Sequence, residues 1–96
     1  MCFNKIQHNA QKVIDLVRFE YGKDYYIAGD EINGNKYLEI YVYDWLYPML
    51  RVNVETFDTE IVIDNLKLQG DDIRVFNNIF DNLVKMSKTI EGFKNE

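Results

Sequence analysis

The sequence predicts an α+β fold: a two-layer sandwich in the order α-β-β-β-β-α, a four-stranded antiparallel meander with both helices on one face. Three observations predict it. Apolar residues recur at helical spacing near both ends of the chain, they alternate with polar ones through the middle, and Asn33-Gly34 sits between two alternating runs. Residues 1–96 read as a single α+β domain, near the lower end of the size at which one core folds without disulfides or metal.

The first element spans Phe3 to Tyr21. Phe3, Ile6, Ala10, Val13, Ile14, Val17 and Tyr21 are spaced at three- and four-residue steps, which lays them along one helical stripe. Gly22 follows as the expected C-cap. Phe19 points away from the stripe, toward the side of Lys5, His8, Lys12 and Asp15.

Asn33-Gly34 is a strong hairpin signal, because a type I′ turn needs positive φ at both central residues. It fixes a register in which Tyr25 faces Val42, Ile27 faces Ile40 and Gly29 faces Leu38. On the other face Tyr26 meets Tyr41, Ala28 meets Glu39 and Asp30 meets Tyr37. Leu38, Ile40 and Val42 choose the inner side.

Pro48 holds Tyr47 extended and delays the next ladder, so a third strand runs from Met49 to Glu55 with Leu50, Val52 and Val54 inward. A turn at Phe57-Asp58 returns the chain through Glu60 to Asp64, with Ile61 and Ile63 inward. This register sets Arg51 opposite Asp64 and Glu55 opposite Glu60. Leu66 to Gly70 reads as either loop or short strand. Asp71 or Asp72 then caps a final helix whose apolar arc, from Ile73 and Val75 through Phe76, Ile79, Phe80, Leu83, Met86 and Ile90 to Phe93, is wide enough for a deep seat on the sheet.

Composition narrows the function classes. An apolar share of 47% with 28% charged residues is that of an ordinary globular chain, and a net charge of −5 disfavours direct binding to nucleic acid or to an anionic membrane. The acid excess is concentrated in residues 23–70, which hold four bases and nine acids. Cys2 is the only cysteine, which suits a reducing compartment, and no leader pattern or membrane-length apolar run is visible, so the expected location is cytoplasmic.

Catalytic patterns are not found. The chain has one His, one Cys and one Ser; His8 falls on the polar side of the first helix and Ser87 on the apolar side of the last, with no base or orienting group in view, and Cys2 reads as an inert thiol. Placing Gly34 at the glycine of a calcium loop leaves Gly29 and Ile40 at ligand positions, and no zinc spacing or phosphate-cradling Gly-rich loop occurs. The expectation is a protein without catalytic residues, metal or cofactor.

The outer face of the sheet is the candidate site: Tyr26, Asp30, Tyr37, Glu39, Tyr41, Tyr43, Met49, Arg51, Asn53, Glu55, Glu60 and Asp64. Tyrosine offers large contact area and a hydroxyl at low entropic cost, and carboxylates beside it would steer a basic partner. Tyrosine is also a good strand former, which accounts for the aromatic residues but not for the acids. Trp45, with Leu46 and Tyr47, either lids the end of the core or anchors a partner.

The element order is that of the double-stranded RNA-binding domain and, with the acidity, of frataxin. The last helix opens on Asp71-Asp72-Ile73-Arg74 where the former needs lysines, and the first helix carries Lys5, Lys12 and Arg18 where the latter is acidic. In size and charge the chain resembles small acidic proteins of phages and mobile elements, such as anti-CRISPR inhibitors that occupy a nuclease's nucleic-acid channel. That likeness implies an inhibitor whose partner is a protein with a basic surface, itself a nucleic-acid binder. The alternative expectation is a homodimeric scaffold that self-associates through the open sheet face.

Overall fold

The computed structural model describes residues 2–28 and 36–96, with side chains from residue 5 onward. Asp30, the Asn33-Gly34 turn, the pairings of Gly29 and Asp30, and the side chains of Cys2 and Phe3 lie outside the described residues. Helix α1 (Cys2–Leu16) closes in a π-helical turn, Val17–Tyr21. Strands β1 (Tyr25–Ala28), β2 (Tyr37–Val42), β3 (Leu50–Asn53) and β4 (Thr59–Ile61) form one antiparallel sheet in sequence order. Helices α2 (Ile63–Gln69) and α3 (Ile73–Gly92) follow, with a closing 3-10 turn at Phe93–Asn95. The α+β meander expected from the sequence is present, with α2 as an additional element.

One core joins the layers. Val13, Leu16 and Val17 from the first helix and its π-turn meet Leu38, Ile40 and Val42 of β2, Leu50 and Val52 of β3, and Leu83, Met86 and Ile90 of α3. Ile6, Ala10, Ile14 and Tyr21 pack at its margin, as the helical stripe requires. Asn9 is the one buried polar residue among those described, and its amide donates to the Val54 carbonyl at 2.8 Å, tying α1 to the end of β3. Gly22 is not a left-handed cap: its φ is −63°. A Cβ there would lie 2.3 Å from the Arg18 carbonyl oxygen, so close approach, not positive φ, is what requires glycine.

The β1–β2 register is the one the sequence predicts over the described residues: Tyr25 to Val42, Tyr26 to Tyr41, Ile27 to Ile40 and Ala28 to Glu39. The β3–β4 register is not. Leu50 pairs with Ile61, Arg51 with Glu60 and Val52 with Thr59, so Arg51 does not face Asp64 and the Glu55–Glu60 clash never forms. The turn is wider than a tight hairpin because Asn53 builds it. Its side-chain oxygen accepts from the Glu55 and Thr56 amides, and its carbonyl accepts from the Phe57 amide. Phe57 adopts φ 64° and drops its ring into the core against Phe93, with centroids 5.4 Å apart. A bulky residue in that region is unfavourable, so the buried ring must offset the backbone cost.

Met49, expected on the wet face, is fully buried. Its amide bonds to the Ile40 carbonyl at 2.8 Å although Ile40 pairs with Leu50, so two consecutive residues oppose one, and this bulge turns both side chains inward. After β4 the chain coils instead of extending. The Val62 carbonyl accepts from the Asn65 and Leu66 amides, Leu66 is buried, and Ile63 is exposed at the start of α2, so neither the inward Ile63 nor a strand at 66–70 is observed. Asp72 caps α3 by accepting from the Arg74 amide at 2.8 Å. The deep seat holds only for the later turns: Ile73 and Val75 are exposed. Phe76, Ile79 and Phe80 in the following turns are partly buried against the core.

Replacing Phe57 by Ala removes the ring that holds the β3–β4 turn. The expected loss is about 3 kcal/mol of unfolding free energy, read from the denaturant midpoint at unchanged slope.

Candidate functional site

Alternation along β1 and β2 puts three tyrosines together on the outer face. Tyr26 of β1 stacks on its cross-strand partner Tyr41, with centroids 5.4 Å apart and planes 17° apart, and meets Tyr43 at 4.8 Å. Cross-strand aromatic pairs of this kind stabilise the ladder by roughly 0.2–1 kcal/mol each. Tyr43 remains about half exposed, as does Tyr37 farther along β2. Burial raises the Tyr41 phenol above its ordinary value, and the neighbouring Glu39 carboxylate adds to that effect. The phenol therefore stays protonated and able to donate at neutral pH.

Beside the aromatic half runs a row across the four strands: Ala28, Glu39, Arg51 and Glu60, each opposite the next. Arg51 donates from Nε to Glu39 at 3.3 Å and is flanked on its other side by the position of Glu60. A shallow depression of about 190 Å³ lies at this end, lined by Tyr37, Arg51, Asn53, Asp58, Thr59 and Glu60.

The structure redistributes the acids that the sequence places on this face. Glu39 and Glu60 are there. Glu55 lies in the turn after β3, ion-paired with Lys36, and Asp64 lies in the first turn of α2. Among the described residues the strands of this face therefore carry two carboxylates around one arginine, a smaller excess than the sequence register implied. Trp45 is partly buried and packs against the core, whereas Leu46 beside it is 80% exposed. The Gln69 side chain holds this loop against α2 by accepting from the Leu46 and Tyr47 amides, both at 3.1 Å.

Sequence reasoning missed a polar cluster on the inner side. Thr59 donates its hydroxyl to Glu91 at 2.6 Å and its amide to the same oxygen at 3.1 Å. Since that hydroxyl proton is committed, Ser87 must donate its own to Thr59, with which it is in contact. Ser87 thus has a partner that its helical position alone could not disclose. Lys94 joins the cluster through Glu91 at 3.6 Å and through Asp58. These bonds clamp the short edge strand β4 to α3. His8 is exposed on α1, and no group of three His, Cys, Asp or Glu side chains among the described residues could hold a metal ion.

No helix among the described residues is long and apolar enough to cross a membrane. No known protein family matches the chain, and no curated protein or solved structure matches it.

The clamp makes acid sensitivity predictable. The Thr59 hydroxyl holds the Glu91 carboxyl below its ordinary value, and the Lys94 ammonium does the same for Asp58. Groups with depressed folded values contribute stability that is present above the ordinary carboxylate values of 4.5 and 3.8 and is lost as pH falls through the folded ones. Melting temperature followed from pH 7 downward should therefore drop most steeply below about pH 4.5. In Glu91→Gln, which keeps an acceptor for Thr59 but cannot titrate, the drop should be shallower.

Proposed function

We propose that this protein is a non-enzymatic interaction module that engages a basic surface of a partner protein with the outer face of its sheet. The observation that carries this reading is the packed trio Tyr26, Tyr41 and Tyr43 beside the Glu39–Arg51–Glu60 row. Packed, partly exposed aromatic rings are a low-entropy platform for arginine and lysine side chains, which are attracted to the ring faces. Glu39, next to that platform, can exchange Arg51 for a partner's cation, and Glu60 adds a second carboxylate across from Arg51. The chain's net charge of −5 favours approach to a positive surface. A partner whose basic surface normally holds nucleic acid would be blocked by such binding, which makes an antagonist in a cytoplasmic setting the most specific form of the proposal.

The face residues divide accordingly. Tyr26, Tyr37, Glu39, Tyr41, Tyr43 and Glu60 form the proposed contact surface, with Glu55 at its rim through the turn after β3. Trp45 contributes by fixing the loop that follows Tyr43, through its packing on the core.

Tagged protein should enrich the same partner from lysate with Tyr26→Ser as without it only if the face is irrelevant. The expected result for Tyr26→Ser combined with Tyr43→Ser is at least about a tenfold loss of that partner, because each aromatic anchor at an interface centre is commonly worth 2 kcal/mol or about that. Wild-type capture should also weaken as salt rises from about 0.1 to 0.5 M. A wild-type protein that captures nothing and sediments as a dimer dissociated by the same double substitution would instead establish the self-associating scaffold.

A further inference from the structure

The hydrogen-bond parity of β1 turns the backbone groups of alternate residues away from β2. Tyr43 donates its amide to the Asp24 carbonyl at 3.0 Å, so the Asp24 carbonyl and the backbone groups of Tyr26 and Ala28 are directed toward β2, while the Asp24 amide donates to the Tyr21 carbonyl. Tyr25 and Ile27, the intervening residues, direct theirs away from the sheet. Among the described residues nothing bonds to those outward amides and carbonyls. The opposite edge is treated differently, because β4 has only three residues and Glu91 occupies its outward Thr59 amide. One edge is thus capped by a side chain, while the other has no partner among the described residues.

Along the open edge lies a groove of about 350 Å³ between the first helix and the sheet. Ile14, Val17, Ile27 and Leu38 give it an apolar lining, with Arg18 at its margin. Tyr43 also lines this groove, and it meets Tyr26 on the other face of β1 in the aromatic pair described above. A strand laid beside β1 would send alternate side chains into the apolar groove and onto the tyrosines, so both of its faces would find a receiving surface.

We infer that the β1 edge is a docking site for an extended segment of a partner protein, added antiparallel or parallel to β1 as a fifth strand of the sheet, with an aliphatic side chain seated in the groove. The chemistry selects this occupant. Unpaired amide and carbonyl groups at alternate residues of a strand, two residues or roughly 6.7 Å apart, are matched by extended backbone. A second copy of this chain fits less well. In β1–β1 pairing its inward residues would be Tyr25, already 2% exposed in its own core against Tyr21 and bonded to Asn82, and Ile27, already a wall of its own copy's groove, so neither is left to fill the partner's. The two α1 helices would also meet over the seam, each copy bringing a net charge of −5. This site does not rest on the face reading, since the edge can bind a strand whether or not the tyrosines engage a basic surface.

The test selects phage-displayed ten-residue peptides with alternating aliphatic residues against the wild-type chain. Amide exchange is then followed by NMR with the best peptide added. The inference expects the Tyr25 and Ile27 amides to exchange at least about tenfold more slowly when peptide is bound, while Tyr26, already in the ladder, changes little. Ile27→Pro deletes an outward amide without removing a ladder bond, and should weaken peptide binding about tenfold. Ile14→Glu should weaken it by closing the groove to aliphatic side chains, whereas Glu60→Gln, on β4 at the far edge of the sheet, should leave the amide protection in place. If Ile27→Pro does not fold, the wild-type amides decide. The inference is overturned if alternating peptides are enriched no more than scrambled ones, or if bound peptide leaves both amides unprotected. It is equally overturned if raising protein concentration alone protects them as a dimer forms.

Discussion

Burial with period two along β2 is the constraint from which the other features follow. This strand is paired on both sides, and its Leu38, Ile40 and Val42 are all buried under the helices while Tyr37, Glu39 and Tyr41 face outward. A slip of one residue would exchange the two sets and drive Glu39 into an apolar core. Burying such a carboxylate without a partner costs several kcal/mol, a large fraction of the stability of a small domain. The tyrosine surface is therefore a consequence of how the core is satisfied.

The β1–β2 pair was legible because two independent signals agree there: the alternation of Leu38, Ile40 and Val42, and the Asn33-Gly34 signal that fixes which residues meet. The return from β3 was not, because its turn is built by contacts that a local reading does not contain. Asn53 collects three amides, and Phe57 accepts a left-handed backbone in exchange for a place beside Phe93, 36 residues later in the chain. Ile61 and Ile63 imitate a strand for too few residues to exclude a helix start, and Leu66 settles the matter only through tertiary burial. Met49 and Leu50 show the same limit, since a bulge suspends alternation without leaving a mark in composition.

Those differences reshape the candidate site unevenly. The aromatic half depends on the β1–β2 register alone, so Tyr26, Tyr41 and Tyr43 come together as the sequence implies. The acidic half depended on the β3–β4 register as well, and with the observed turn Glu55 and Asp64 leave the strands. What remains is an aromatic platform with a compact charged row, in which Arg51 stands between Glu39 and Glu60. The clamp of Ser87, Thr59 and Glu91 was hidden for a related reason: its members lie 28 and 32 residues apart and become neighbours only when β4 docks on α3. That clamp closes the β4 edge of the sheet through the outward Thr59 amide.

The most direct measurement is the relaxation of tyrosine ring resonances by a soluble paramagnetic agent in dilute, monomeric protein. The account predicts strong relaxation of Tyr37 and Tyr43, partial relaxation of Tyr26 and Tyr41, and almost none for Tyr25. Strong relaxation of Tyr25 with protection of Tyr37 and Tyr43 would mean that the sheet presents its other side to water, and the proposed surface would not exist.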